Sequence, residues 1–399
     1  MSASSIAPDG ALERLELSLR AEAGDPAMAI AVIEHGVSAT LEAVRSGALP
    51  DGSPAPEGWF LGPRRDLVDR AAALLHTSSC TGGRWVVPGD VEWPDRLTDL
   101  DLAAPLNRRA GPPLGLWARG PRELSDTLER SVAVVGCRSA TSYGESVAGQ
   151  LGAGLAERDV ASVSGAAFGI DSAAHRGSLA LRGPTVAVLA CGVDVAYPRA
   201  HTALLDRVGA EGLVVSELPP GSTPTRWRFL ARNRLIAAMS VGTVVVEAAV
   251  RSGALNTAHW ALGLGRVTMG VPGPVTSTAS AGVHGLLRDG GALLVCDAEQ
   301  VWEAVAPAGS GLLEPPRLPA RAFDLLGGTH QQVLEALTIH GSHPVAAVAA
   351  RARLPQSEVC DALAALVAAG VVHQDVHGVR LSGDGVRLVT GRPRAASPP

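Results

Sequence analysis

The stretch SVAVVGCRSATSYG, residues 131–144, decides the fold of this chain of 399 residues. The apolar run Val132–Val135 predicts a strand, a glycine turn follows at Gly136, and a helix is predicted directly after the turn. Such a turn presents free backbone N–H groups and the positive end of a helix dipole, and here Arg138 and Ser139 add a cation and a hydroxyl group. The stretch therefore predicts an anion-binding turn at the carboxyl end of a strand.

The pattern of this first strand recurs through residues 131–305. Short apolar runs alternate with helix-length segments, and strands this apolar are buried on both faces of a largely parallel sheet. The predicted strands are Val132–Val135, Val160–Val163, Thr185–Ala190, Leu213–Val215, Thr243–Val246, Arg266–Gly270 and Ala292–Val295. The sequence thus predicts a doubly wound α/β domain whose ligands bind at the carboxyl ends of the strands.

The rest of the chain divides by composition. Residues 1–75 are predicted to form a region of short helices (SAM-like), and residues 76–130 are a lead-in rich in Pro, Gly and Trp. Residues 306–326 are a Pro/Gly linker. Residues 327–390 are predicted to form a further domain, and residues 391–399 (GRPRAASPP) a disordered tail.

The domain after the linker has the winged-helix pattern of helices followed by a small hairpin. Its predicted helices are His330–Ile339, Val345–Ala350 and Gln356–Ala369, and its predicted strands are Val371–His373 and Val379–Leu381. The candidate recognition segment, Gln356–Leu363, carries two acids and no arginine, so it would repel phosphates. We therefore expect this domain to be a protein-contact or regulatory module. A transcription factor that reads duplex DNA is disfavoured.

Composition excludes several chemistries. The 34 basic residues are all arginine, because the chain has no lysine; this excludes a Schiff-base lysine and a Walker-type phosphate loop. The net charge of −5 does not exclude a nucleic-acid partner, since local clustering of arginine matters more than the sum.

The cysteines indicate a reducing compartment. Their number is odd, they lie far apart and they form no C-x-x-C pair, so neither a disulfide framework nor a zinc site is expected. They are Cys80, Cys137, Cys191, Cys296 and Cys360. The amino terminus lacks the positive flank and apolar run of a signal peptide, and no run of ~18 apolar residues is present. We expect a cytoplasmic protein without a membrane span, a metal or a cofactor.

A second glycine turn follows the second predicted strand, at Ser164-Gly165 and Gly169. The G-x-G-x-x-G fingerprint is absent, and no acid stands where a nicotinamide-binding protein would hold the ribose, so a dehydrogenase is disfavoured. Asp171 and His175 lie four residues apart on one helix face, where they could form a base and its orienting partner. Because no nucleophile is evident, we interpret them as a hydrogen-bonded pair that packs the helix.

The richest cluster of charge is TRWRFLARNR, residues 225–234. Its four arginines alternate with Trp227 and Phe229, which suits a polyanion with stacked bases. An extended stretch here would place both aromatic rings on one face. The alternative is that Phe229 is a core residue and that only Arg232 and Arg234 are important, by pairing with Glu247.

Glu247 and the pair Ser252-Gly253 complete the same predicted rim of strand ends. Glu247 could serve as a general base or pair with one of the arginines of the cluster. We favour the pairing.

Seven ordered segments resemble the Rossmann-like core of the DprA (Smf) family of DNA-processing proteins. They are VAVVGCRSATSYG, SGAAFGID, VLACGVDVAYPRAHTALL, SELPPGSTPTRWRFLARNRLIAAMS, VVVEAAVRSGALNTAHWAL, GVPGPV and GVHGLLRDGGALLV. Upstream, WPDRL and PPLGLWARG resemble the family's lead-in, so the resemblance covers about residues 85–305.

The resemblance implies a homodimeric protein that binds and protects single-stranded DNA without sequence preference. It implies that the protein loads the RecA recombinase onto incoming DNA in transformation and recombination, with single-strand-binding protein as a further partner. It also implies that no residue is catalytic.

Family motifs supply part of the predicted site. Arg138 stands at the arginine of the family's G-[ST]-R motif, residues 164–171 at its S-G-x-A-x-G-I-D turn, and residues 232–234 at its R-N-R motif. The full predicted DNA-binding set is Gly136, Arg138, Ser139, Ser164, Gly165, Phe168, Gly169, Arg199, Arg226, Trp227, Arg228, Arg232, Asn233, Arg234, Ser252 and Gly253.

Two departures from the family motifs affect this set. Phe168 replaces the usual arginine before Gly-Ile-Asp, and Leu230-Ala231 replace the usual Pro-Arg before Arg-Asn-Arg. Either phosphate contact is weaker here, or the aromatic ring at position 168 stacks on a base.

An enzyme is the alternative, namely a Rossmann-type phosphoribohydrolase of nucleoside monophosphates (lysine-decarboxylase-like). Those enzymes carry a P-G-G-x-G-T-x-E-E segment that supplies two acids. Here the comparable segment, residues 246–249, reads Val-Glu-Ala-Ala and has one acid and no glycine pair. The enzyme is therefore disfavoured.

Overall fold

The computed structural model describes residues 10–57, 59, 64–80, 82–307 and 322–390. Two compact units are present, and their described parts are residues 10–307, with the gaps just given, and residues 322–390. Among the described helices, none is both long and apolar enough to cross a membrane.

A mixed, mostly parallel sheet forms the centre of the first unit. In the described residues it has nine strands, in the spatial order β1-β2-β6-β5-β4-β3-β7-β8-β9. The strands are β1 (Gly83–Val86), β2 (Leu116–Arg119), β3 (Ser131–Val135), β4 (Ala161–Ser164), β5 (Thr185–Val188), β6 (Leu213–Ser216), β7 (Gly242–Val245), β8 (Val267–Gly270) and β9 (Leu293–Leu294). Strands β3 to β9 are parallel, which confirms the predicted α/β class and all seven predicted strands.

Strands β1 and β2 were not predicted, because both lie in the lead-in. They pair antiparallel with each other, and β2 pairs antiparallel with β6, so the sheet begins before residue 131. Each is only four residues long and carries an arginine, so neither shows the continuous apolar run of a central strand. Trp117 of β2 is nevertheless fully buried.

Helices cover both faces of the sheet. They are α1 (Ala11–Ser18), α2 (Pro26–His35), α3 (Val37–Arg45), α4 (Arg64–Cys80), α5 (Leu124–Glu129), α6 (Ser142–Ala156), α7 (Ile170–Ala180), α8 (Thr202–Glu211), α9 (Arg226–Ala238), α10 (Gly253–Gly263), α11 (Ala281–Arg288) and α12 (Ala298–Val305). Alternate residues of β3 show the two layers. Val132 and Val134 pack with Leu151 of α6, whereas Ala133 and Val135 pack with the layer of α9 and α10. This two-sided burial explains why the strand reads as uninterrupted apolar sequence.

The described part of residues 1–75 packs on the same sheet. Leu15 of α1 and Ala71 of α4 join a buried cluster with Trp117 and Leu189. Helix α4 also runs across residue 75, so the predicted boundary there falls inside a helix.

The order of the strands predicts where a ligand binds. Strands β4, β5 and β6 follow β3 on one side, whereas β7 begins the other side, so the direction of winding reverses between β3 and β7. Beyond their ends the backbone N–H of Cys137 donates to the carbonyl oxygen of Glu247, at 2.7 Å. Such a reversal opens a crevice at the carboxyl ends of the strands.

The second unit contains the predicted helices and hairpin. They are α13 (Gly328–Ala336), α14 (Val345–Ala352), α15 (Gln356–Ala368), β10 (Val372–Asp375), β11 (Gly378–Leu381) and a further helix that was not predicted, α16 (Gly383–Thr390). Strands β10 and β11 pair antiparallel. Most of the predicted linker (residues 308–321) and the predicted tail (residues 391–399) lie outside the described residues.

Candidate functional site

A cleft of about 480 Å³ lies at the carboxyl ends of the central strands. It is the crevice that the reversal of winding predicts, and it collects residues that follow β3, β4, β5, β6 and β7. Its polar and aromatic lining includes Arg138, Asp171, Tyr197, Thr225, Arg226, Phe229, Arg232, Asn233, Ser252 and Thr257, with the backbone of Gly136 and Gly253.

The first glycine turn is already occupied by an acid of the chain itself. Glu247 is 1% exposed, and its carboxylate accepts hydrogen bonds from the backbone N–H of Thr141 (2.9 Å) and the Thr141 hydroxyl (2.6 Å). A side chain at Gly144, in the first turn of α6, would collide with the same carboxylate. Glu247 therefore supplies a negative charge at the amino terminus of α6, where the sequence predicts an external anion.

The preferred pairing of Glu247 with an arginine is wrong. The carboxylate contacts Thr141 and, at 3.6 Å, the thiol of Cys137. Burial and the neighbouring charge of Glu247 raise the pKa of that thiol to about 11. Cys137 is therefore a neutral thiol near pH 7.

The second glycine turn is closed in the same way, by Asp171. Its carboxylate accepts from the backbone N–H groups of Gly165 (3.2 Å) and Ala167 (3.3 Å), and burial raises its pKa. His175 bonds instead to the hydroxyl of Thr185 at 2.7 Å, and burial lowers its pKa to about 3. The interpretation of Asp171 and His175 as a hydrogen-bonded pair is therefore wrong, since each has other partners.

Two other residues of the second turn, Ser164 and Gly169, contact the backbone of neighbouring segments. Ser164 is fully buried and donates to the carbonyl oxygen of Val134 at 2.6 Å, so its hydroxyl does not reach the cleft. Gly169 has φ +73°, and a side chain there would meet the carbonyl oxygens of Cys137 and Arg138. Glycine is therefore required for the two turns to approach each other.

The cluster at residues 225–234 is a helix, not an extended stretch. Helix α9 begins at Arg226, and the Thr225 side chain accepts from the backbone N–H of Arg228 at 3.4 Å as its amino-terminal cap. Residues two apart on a helix point about 200° apart, so the predicted common face of Trp227 and Phe229 is wrong. Phe229 lines the cleft, whereas Trp227 lies outside it with 51% of its surface exposed.

The helix separates its four arginines into different environments. Arg234 is 0% exposed, pairs with Glu217 through both terminal nitrogens (2.7 and 2.8 Å), and donates to the carbonyl oxygen of Gly111. Arg228 is bound to Glu22 at 2.8 and 2.9 Å. These two arginines are held by acids of the chain, and the structure places Arg234 out of reach of any ligand.

Arg226 and Arg232 remain at the cleft. Arg226 is exposed, whereas Arg232 is 7% exposed and donates to the carbonyl oxygen of Val188 at 2.8 Å. The side-chain amide of Asn233 donates to the carbonyl oxygen of Gly253 at 3.3 Å and to Asn256 at 3.1 Å. Arg232 and Asn233 therefore shape the floor of the cleft, and Arg226 lies at its rim.

Arg138 faces the cleft from the opposite side. Its guanidinium group lies 4.5 Å from the centre of the Phe229 ring, and the Tyr197 ring lies 5.7 Å from the same ring. In the described part of the chain no carboxylate forms an ion pair with Arg138, Arg199 or Arg226, and all three are exposed. These cations are thus available to an external anion.

Two helix amino termini also open on the cleft, those of α9 and α10. Neither helix has an acid in its first turn. Ser252 caps α10 by accepting from the backbone N–H of Ala254, and the adjacent Gly253 is exposed. The positive ends of these helix dipoles add to the charge of the arginines.

Further aromatic and polar groups lie near the turns. Phe168 is 46% exposed and packs edge-on against His201, with ring centres 4.6 Å apart. Ser139, next to Arg138, is also exposed. Sequence reasoning missed Tyr197; its position in the loop after a predicted strand was the available signal. No cluster of three or more His, Cys, Asp or Glu side chains that could hold a metal is found among the described residues.

Comparison with known proteins gives a consistent result. The sequence model for "DNA recombination-mediator protein A" matches residues 84–306. A putative DNA processing protein DprA of Mycobacterium tuberculosis is 49% identical over 314 residues, which is 78% of this chain and 79% of that protein. Protein Smf of Escherichia coli is 39% identical over 71% of this chain and 74% of its own. The crystal structure of DprA from Streptococcus pneumoniae aligns with a TM-score of 0.51 at 32% identity, over 62% of this chain and 84% of that one.

Proposed function

Since this chain belongs to the DNA recombination-mediator protein A family, whose relatives are named DNA processing proteins DprA and Smf, we propose that it binds single-stranded DNA without sequence preference. The single observation that supports this most is the pairing of Arg138 with Phe229 in the cleft, at 4.5 Å. The pair offers a cation for a phosphate and an aromatic ring beside it for a base. Neither group distinguishes one base from another, which is what sequence-independent binding needs.

The surroundings of the pair favour a polyanion. Arg226 lines the cleft, is exposed and has no acidic partner among the described residues, and the amino termini of α9 and α10 open on the same cleft. Arg199, two residues after the cleft-lining Tyr197, is also exposed and without an ion pair in the described part of the chain. The phosphate contacts come from arginine side chains and these two helices, because Glu247 and Asp171 fill the two glycine turns. The mode of binding thus depends on fewer backbone N–H groups than the sequence motifs suggest.

The aromatic groups favour a single strand over a duplex. Phe168, Tyr197 and Trp227 are each 40% exposed or more, and each presents a ring at or near the cleft. In a duplex the bases are already stacked on one another, whereas a single strand can stack its bases on such rings. A duplex would gain only the contacts to phosphate.

We further propose that the protein is not an enzyme. The two acids at the turns, Glu247 and Asp171, are buried and already accept hydrogen bonds from the chain, and His175 is buried and neutral. A phosphoribohydrolase needs acids that can reach its substrate. Release of a free base from a nucleoside monophosphate would contradict this part of the proposal.

The partners proposed for the protein are a RecA-type recombinase, single-strand-binding protein and a second copy of the chain, in the cytoplasm. The support for the recombinase is membership of a recombination-mediator family.

The support for a homodimer is the outer edge of β9, where Leu293 and Leu294 are 56% and 57% exposed. If the dimer forms there, Leu294→Arg will lower the sedimentation coefficient to that of a monomer, and an unchanged coefficient would contradict this edge as the interface.

A titration tests the main proposal. Labelled oligothymidine and a duplex of mixed sequence are titrated with the protein at low and moderate salt, with an oligonucleotide of mixed bases as the control for sequence preference. We expect tighter binding to both single strands than to the duplex, and affinities for the two single strands that differ little. Equal or tighter binding to the duplex would overturn the proposal.

A further inference from the structure

A short hairpin in the lead-in presents an arginine in an unusual backbone conformation. Leu106 and Arg109 pair through two backbone hydrogen bonds, of 3.0 and 3.1 Å, and leave Asn107 and Arg108 as the two residues of the turn. Both turn residues have positive φ angles, of 53° and 60°. Two-residue turns of this kind favour Asn followed by Gly, because only glycine adopts the second conformation without steric cost.

Arg108 thus stands where glycine would be more stable. Its side chain is exposed, and within the described residues no carboxylate pairs with it. A non-glycine residue held in this conformation, with no internal partner to explain it, is a reason to look for a function outside the fold.

The hairpin contacts the loop before α2 and the first turn of α9 through Arg109. This arginine donates to the carbonyl oxygen of Ala23 at 3.2 Å, and its guanidinium group lies 5.9 Å from the centre of the Trp227 ring. Trp227 is half exposed and directly follows Arg226, which lines the cleft. The side chain of Arg109, which directly follows the two turn residues, therefore reaches the ring of Trp227.

Two acids near this surface are held in ion pairs within the chain. Glu22 lies close to the start of α9, but its carboxylate is held by Arg228 at 2.8 and 2.9 Å. Glu217, which is near the same hairpin through the contact of Arg234 with Gly111, is held by Arg234. The surface formed by Arg108, Arg109 and Trp227 therefore keeps a positive charge.

We propose that Trp227 and Arg108 form a second subsite, outside the cleft, for the same single strand of DNA as it leaves the cleft. Trp227 stacks one base, and Arg108 contacts a phosphate beyond it. The subsite takes a continuation of the strand and not a separate ligand, because its ring adjoins the cleft-lining Arg226. This proposal rests on the proposed function and adds to it a path for the strand and a minimum length of DNA.

The substitution Arg108→Gly tests the subsite without risk to the fold, since glycine suits the turn better than arginine. Arg182→Gly is the matched control. Arg182 is also an exposed arginine with positive φ (55°), but it lies between α7 and the start of β5. It is therefore at the amino ends of the parallel strands, whereas the cleft is at their carboxyl ends. Both variants remove one charge and relieve one strained backbone position.

Binding is measured with oligothymidines of about 4 and about 16 nucleotides, at several salt concentrations. For the longer strand we expect Arg108→Gly to bind on the order of threefold to tenfold more weakly than Arg182→Gly, with a salt slope smaller by ~0.7. For the shorter strand, which the cleft alone can hold, we expect the two variants to bind equally.

The outcomes separate this inference from the proposed function. If the parent binds both strands and the two variants behave alike on the longer one, the second subsite is overturned while the cleft stands. If Arg108→Gly weakens both strands equally, Arg108 belongs to the cleft and the path is wrong. If the parent binds neither strand, the proposed function fails and the subsite fails with it.

Discussion

The β3–α6 junction and the β6–α9 junction both end in a threonine that caps the following helix, but they differ in what occupies the amino terminus of that helix. At the first, the amino terminus of α6 is filled by the carboxylate of Glu247, which lies 106 residues away from Thr141 in the chain. At the second, α9 begins with Arg226 and Trp227 and has no acid in its first turn. A turn before a helix therefore indicates a place for an anion, but a distant residue decides whether the anion comes from the chain or from a ligand.

The same contrast holds within α9. Arg226 faces solvent at the cleft, whereas Arg234, two turns later, is buried against Glu217. Removal of one member of a buried ion pair leaves an uncompensated charge, so Arg234→Met will lower the free energy of unfolding by about 3 kcal/mol. Urea denaturation measures this change. Arg226→Met is the control, with an expected change in the free energy of unfolding below about 0.5 kcal/mol. If both variants lose the same free energy of unfolding, the burial of Arg234 does not make it more important for stability than Arg226.

Glu247→Gln tests the internal anion at the first junction. The amide keeps the shape of the side chain but loses the charge that binds Thr141, so we expect the free energy of unfolding to fall by about 1–2 kcal/mol. We expect the salt dependence of single-strand binding to stay the same, because the side chain at position 247 already occupies the amino terminus of α6. Glu299→Gln, at an exposed ion pair with Arg158, is the control and will change stability little. A changed salt slope in Glu247→Gln would show that DNA does reach the amino terminus of α6.

Trp227→Ala tests stacking beside the second junction. Stacking contributes ~1–3 kcal/mol per base, so affinity for a long oligothymidine will fall by roughly five- to a hundred-fold. The salt slope will stay the same, since no charge is lost. Trp227→Phe keeps a ring and will retain most of the affinity. If Trp227→Ala binds oligothymidine with the affinity of the parent, the proposed stacking of a base on Trp227 is wrong.

The sequence predicts most of the sheet and less of the site. Uninterrupted apolar runs such as Val132–Val135 reveal strands that are buried on both faces, whereas the short β1 and β2, each with an arginine, lack that signal. The alternation of arginine with Trp227 and Phe229 favours an extended stretch, although Thr225 is a good amino-terminal cap for a helix.

The roles of the charged residues depend on partners that are distant in sequence. Arg138 and Arg234 both belong to family motifs, yet only Arg138 is exposed. The burial of Arg234 depends on Glu217 and on Gly111, which lies 123 residues away. A contact between residues so far apart cannot be recognised from the local sequence. For this reason the family motifs predict that both arginines bind DNA.

In the proposed mode of binding, Arg138 contacts a phosphate of the strand from the cleft. The most direct measurement is the salt dependence of oligothymidine binding by Arg138→Ala, with Arg182→Ala as the control for loss of one exposed charge. We predict weaker binding that is independent of base composition and a slope smaller by ~0.7, with a free energy of unfolding within about 0.5 kcal/mol of the parent. A folded Arg138→Ala protein with the parent's affinity and slope would contradict the account.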